Sequence, residues 1–99
     1  MNQQFTDLVK KVKEHCEKER INQERFYSIN TGSITGIFYN DCDEPKSCGL
    51  ILEKGQWFAW CTAESARAPI NYETAQKIAD SFFTSGSTLS KKIVVDYNK

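Results

Sequence analysis

A chain of 99 residues, 39% hydrophobic and 12% aromatic, has the composition of one globular domain rather than a disordered segment. Thirteen Lys and Arg balance thirteen Asp and Glu, so no global field draws the chain to a phosphate backbone, and it is not acidic enough to mimic one. No apolar run approaches membrane length and Met1-Asn2-Gln3-Gln4 opens no signal peptide, so the expected location is cytoplasmic, with the four cysteines reduced.

The first predicted element is a helix over about 3–20. Phe5, Leu8, Val9, Val12 and Cys16 recur at the spacing of one helical stripe. The opposite face carries Lys10, Lys11, Lys13 and Lys18, interrupted by Glu14, Glu17 and Glu19. That mixture suits a helix docked on a sheet better than one lying on a membrane or bound to calmodulin. Short strands are expected over about 25–30 and 34–40, with Thr31-Gly32 as a two-residue turn that sets Ile29 opposite Ile34 and Phe26 opposite Ile37. Asn40 to Ser47 is acidic and turn-rich, an exposed loop.

Residues 48–54 and 56–61 read as a hairpin about Lys54-Gly55. The pairing sets Cys48 opposite Cys61, Leu50 opposite Ala59 and Leu52 opposite Trp57 on one face. Ile51 with Phe58, and Gly49 with Trp60, fall on the other. Both faces are then apolar, and each needs a cover. Thr62 to Ala68 reads as a connecting loop. Asn71 is a good N-cap for a helix over about 72–84, whose stripe is Tyr72, Ala75, Ile78, Ala79, Phe82 and Phe83. Gly86 reads as its stop, Ser87 to Ser90 as a linker, and Ile93-Val94-Val95 with Tyr97 as a last strand over about 92–97. The expected fold is a single α+β domain over residues 1–99, in the order α-β-β-β-β-α-β, with a largely antiparallel sheet and two amphipathic helices.

No residue set carries a catalytic signature. The lone His15 adjoins Cys16, but neighbours on a helix diverge by about 100° and Cys16 belongs to the apolar stripe. Cys16, Cys42, Cys48 and Cys61 lack the close pairing of structural zinc ligands. A Cys48–Cys61 disulfide is opposed by reducing conditions and by cross-strand strain. Thr31-Gly32-Ser33 is too short for a phosphate loop. The expectation is therefore a protein that is not an enzyme, with no metal and no cofactor.

Two binding readings follow. A sheet face bearing Tyr27, Tyr39, Phe58 and Trp60 suits the stacking of unpaired bases, although zero net charge and the lack of a ribonucleoprotein aromatic consensus weigh against it. The α-β-β-β-α order suggests the double-stranded RNA-binding domain, but Ala68-Pro69-Ile70-Asn71-Tyr72-Glu73 stands where that family has a Gly- and Lys-rich helix entry. Aromatic residues on a sheet face are equally good anchors for a protein partner. On that reading the contact residues are Tyr39, Phe58 and Trp60, rimmed by Asp41, Asp43 and Glu44. A third possibility is a homo-oligomer paired through the edge of the Ile93-Val94-Val95 strand.

Gly55-Gln56-Trp57-Phe58-Ala59-Trp60 and the segment from Pro69 to Phe82, with its Thr74-Ala75-Gln76-Lys77-Ile78-Ala79 stripe, resemble a design found in small phage proteins, anti-CRISPR and other anti-defence proteins among them. The resemblance covers about half the chain and is one of size and build, with no functional residue to carry over. It implies a protein that acts by occupancy in the host cytoplasm. Such a protein docks on a host complex, such as a CRISPR effector or another nuclease, and the acidic rim would face a basic nucleic-acid groove.

Overall fold

Helix α1 spans Gln3–Glu19 in the computed structural model, which describes residues 2–32, 34–39, 48–61 and 66–99. The Asn2 side chain accepts from the Phe5 N–H and caps its first turn, while Arg20 closes it in the left-handed conformation, donating to Cys16 and Glu17 carbonyls. A short 3-10 turn, Gln23–Arg25, leads into strand β1, Phe26–Asn30, followed by β2, Thr35–Tyr39. The central hairpin is β3, Cys48–Glu53, with β4, Gln56–Cys61. Strand β5, Ala66–Ile70, follows, then helix α2, Tyr72–Asp80, and helix α3, Ser85–Tyr97. The strands form one antiparallel sheet in chain order, β1-β2-β3-β4-β5.

The α+β class and the antiparallel sheet are as the sequence leads one to expect, and so is the β3–β4 register, from Cys48 opposite Cys61 to Glu53 opposite Gln56. Lys54 at φ 51° and Gly55 at φ 79° make the turn; two consecutive positive φ values match the right-handed twist of the strands. The Asn71 side chain caps α2, accepting from the Thr74 N–H at 2.8 Å.

Five expectations are corrected. The β1–β2 register is displaced by two residues: Asn30 pairs with Thr35, so Ile29 faces Gly36 and Phe26 faces Tyr39. A slip of two, unlike a slip of one, leaves every side chain on its expected face. Part of the segment expected as a loop is β5, which pairs with β4 from Trp57–Ile70 to Cys61–Ala66. Helix α2 ends at Asp80, short of the expected residue 84. The segment over 92–97 is not a strand but the end of α3. Gly86 stops nothing; it lies in the first turn of α3, where an added Cβ would meet the Ile78 carbonyl and lie 2.6 Å from that of Ser81. Gly86, Ser90 and Val94 are the buried residues of α3, four apart on one stripe, so packing overrides the strand preference of Ile93-Val94-Val95.

All three helices pack on one face of the sheet. That face contributes Phe26, Ile37, Leu50, Trp57, Ala59, Cys61, Ala68 and Ile70 to the core; the helices contribute Phe5, Leu8, Val12, Cys16, Ala75, Ile78, Ala79 and Val94, and the α2–α3 connection Phe82. The Trp57 indole Nε1 donates to Gln4 Oε1 at 3.0 Å, pinning the start of α1 to β4. His15 Nε2 accepts from the Phe83 N–H at 3.1 Å, which ties α1 to the α2–α3 connection and puts the neutral ring's proton on Nδ1.

Candidate binding face

The alternation of strand side chains decides what the sheet shows on its other side. Two rows cross it. One runs Tyr27, Phe38, Gly49, Trp60, Arg67 and the other Ile29, Gly36, Ile51, Phe58, Pro69, each residue opposite the next on the neighbouring strand. Among the described residues no helix or strand covers these rows. Ile29, Phe38, Ile51, Phe58 and Trp60 are half-buried, while Tyr27 is 45% exposed.

Phe38 organises the face. A Cβ at Gly36 would lie 2.7 Å from its Cζ, and one at Gly49 2.6 Å from its Cδ1. The ring therefore occupies the space two missing side chains leave on adjacent strands, shielding backbone that would otherwise be wet. Tyr27 sits beside it at 5.5 Å between centroids, and Trp60 meets it edge-on at 5.6 Å. At the β5 side the Arg67 guanidinium lies 4.3 Å above the Phe58 ring and donates to Glu53 at 2.6 Å. Both partners of that ion pair are more than 40% exposed, so it contributes at most about 1 kcal/mol. Its role is to hold the guanidinium over Phe58, so that among the described residues the one cation in the two rows has its charge already matched.

Of the residues expected at the contact, Phe58 and Trp60 do share this face. Tyr39 does not: it points to the helix side, 5.4 Å from Phe82 and 4.5 Å from Phe83. Asp41, Asp43 and Glu44 lie outside the described residues, as does Cys42. The sequence reading missed Phe38 and Arg67. The signal for Phe38 was available: glycines at 36 and 49 fall on the same face as an aromatic residue once the register is fixed.

The remaining reactive groups are engaged in packing. Cys16, Cys48 and Cys61 are buried thiols. Burial pushes the Cys48 thiol up to about 12, with the facing Cys61 adding to the effect. Burial also raises Cys16, against the opposing pull of Arg25. A thiol held neutral is a poor nucleophile and a poor metal ligand. No group of three or more metal-ligating side chains exists among the described residues. Burial, then the nearby Asp7 charge, raises Tyr72. Chemically, the arrangement offers a flat apolar surface with aromatic edges and faces. Comparison with protein-family models, curated proteins and solved structures finds no match.

Proposed function

We propose that this chain is a non-enzymatic protein-binding module that works by occupancy, its contact surface the uncovered face of the sheet. One observation carries the reading: three helices crowd one side of a five-stranded sheet and leave Tyr27, Phe38, Phe58 and Trp60 on the other with, among the described residues, a single ion pair, Arg67–Glu53. Five strands about 4.8 Å apart and about five residues long span roughly 400 Å². Apolar patches of that size on a monomer are often functional. Aromatic residues at the centre with charge kept to the rim is the composition of a protein interface. The target class, a host defence or nucleic-acid-processing complex such as a CRISPR effector or another nuclease, follows from the resemblance to anti-defence proteins alone, with Asp41, Asp43 and Glu44 as the acidic rim.

A second reading, stacking of unpaired bases, draws on one observation: aromatic rings stand side by side on β1 and β2 and on β4, as in sheets that bind single strands. The charge disfavours it, since Arg67 is the one cation in the two rows and is paired.

The test is capture from the native host with wild type and with Phe58→Ser/Trp60→Ser, alongside titration of single- and double-stranded oligonucleotides at low and physiological salt. The protein-binding reading expects one partner, lost in the double variant, and no oligonucleotide binding. A partner retained by a folded double variant overturns it. Salt-sensitive oligonucleotide binding with quenched Trp fluorescence moves the assignment to the second reading.

A further inference from the structure

The two edges of this sheet are finished differently. In an antiparallel ladder, alternate residues turn both N–H and C=O toward the partner strand and the others turn theirs away. On β5 the outward positions are blunted: Pro69 has no N–H, and the Arg67 carbonyl accepts from Asn98 Nδ2 at 3.4 Å. On β1 the phase is set by the Thr31 N–H, which donates to the Ile34 carbonyl at 2.9 Å. Thr31, Ile29 and Tyr27 therefore face β2, and Ser28 and Asn30 present N–H and C=O to the open edge. Phe26 is outward too, but its N–H is already taken by the Gln23 carbonyl. Residues 26–30 hold no Pro, Lys or bulge to discourage a further strand.

Beside that edge is a cleft of about 290 Å³ between α1 and β1, lined by Phe5, Thr6, Val9, Lys10, Lys13 and Ser28. Its floor is apolar and its rim is basic. Lys10 and Lys13 are exposed and make no ion pair among the described residues, although Glu14 lies one helical turn from Lys10.

From the bare edge and the cleft together, we infer that β1 is a second docking site, independent of the aromatic face, for an extended acidic segment of a partner protein that adds as a sixth strand. Ser28 and Asn30 give it backbone hydrogen bonds, and alternate side chains of the added strand drop toward α1. The fitting pattern is an apolar residue over Phe5 and Val9 with Asp or Glu two positions on, at Lys10 and Lys13. Charge selects this occupant over a second copy of the chain. Two copies paired antiparallel through β1 bring their α1 helices together at the junction, Lys10 and Lys13 against their like, which repels.

The test uses ¹⁵N-labelled protein and an N-acetylated, amidated octapeptide in which Thr alternates with two Val and then two Asp, with a Lys-for-Asp peptide as control. The expected result is amide shifts at Ser28, Asn30 and the first three turns of α1, with affinity falling as salt rises. Lys10→Glu/Lys13→Glu, on an exposed helix surface, lowers affinity at least tenfold. Ser28→Pro also abolishes binding while the domain stays folded, because the Ser28 N–H is outside the β1–β2 ladder. The inference is overturned by equal binding of the Lys peptide, by binding that survives Ser28→Pro, by shifts confined to Tyr27, Phe38 and Trp60, or by no shift at millimolar peptide. A dimer in sedimentation that Ser28→Pro dissociates overturns it in favour of self-pairing. Failure at β1 leaves the aromatic face standing: shifts confined to Tyr27, Phe38 and Trp60 would place the peptide on that face instead, and the face's own test is the Phe58/Trp60 variant.

Discussion

Trp57 and Trp60 stand on the same strand, yet Trp57 is 2% exposed beneath the helices and Trp60 lies half-buried on the open side. Trp57 is fixed at both ends: its Nε1 bonds Gln4 and its ring stacks on Tyr72 at 6.4 Å. Trp60 has an edge-on neighbour in Phe38, and its indole N–H makes no hydrogen bond among the described residues. Strand periodicity separates the two, since positions three apart point to opposite faces. The difference teaches that the same residue type serves cohesion on one side and availability on the other, according to where the helices went. All three helices bury their apolar residues against that one side, and α1 is pinned there to β4 at Gln4 and to the α2–α3 connection at His15.

Truncating each indole is the largest perturbation of this contrast. Trp57→Ala is expected to cost about 3–5 kcal/mol in urea unfolding. Trp60→Ala, losing only a half-buried side chain, is expected to cost less than half of that while removing partner capture. Equal costs would erase the distinction between the faces. Within the covered side, Gly86→Ala forces a methyl against the Ile78 and Ser81 carbonyls, and a loss of about 1–3 kcal/mol is expected from such overpacking. An unchanged midpoint would show that α2 and α3 can separate freely.

Alkaline titration probes the seal over the core side. The Cys48 thiol ionises near 9.0 when unfolded but only near 12 when folded. Between those values the native state holds the proton that the unfolded state has lost. Stability is therefore intact below pH 9 and falls above it by at most about 1.4 kcal/mol per pH unit from this group. Cys48→Ala is expected to flatten that part of the pH profile; a slope unaltered by the substitution would assign it elsewhere. The smallest effect belongs to the open side: Arg67→Ala is expected to change stability by less than about 1 kcal/mol, because its ion pair is solvated. A larger loss would mean that Phe58 depends on the guanidinium for cover.

The sequence made α1 and the central hairpin legible, because each carries a strong local signal: an apolar stripe in one, a Lys54-Gly55 turn with a fixed count of residues on either side in the other. The register of that hairpin was enough to predict that Phe58 and Trp60 share a face. Strand β5 was hidden because Ala66-Arg67-Ala68-Pro69-Ile70 is small and contains proline, which an edge strand tolerates and a central one does not. Helix α3 was hidden because its β-branched run favours a strand in isolation, whereas Gly86, Ser90 and Val94 bury as a helical stripe. Tyr39 was assigned to the wrong company, since its face relative to Phe58 and Trp60 depends on a β2–β3 alignment that residue types alone did not set. Phe38 was overlooked because its role exists only once the β2–β3 register sets it opposite Gly49, with Gly36 two residues back on its own strand.

The claim beneath all of this is that the Tyr27–Phe38–Trp60 side is open in the free monomer. Acrylamide quenching of two single-tryptophan proteins, Trp57→Phe and Trp60→Phe, measures it directly. The account predicts that Trp60 is quenched several-fold more strongly than Trp57, with redder emission. Equal protection of both indoles in a monomeric sample would contradict it, because the face would then be sealed and there would be no surface left to dock.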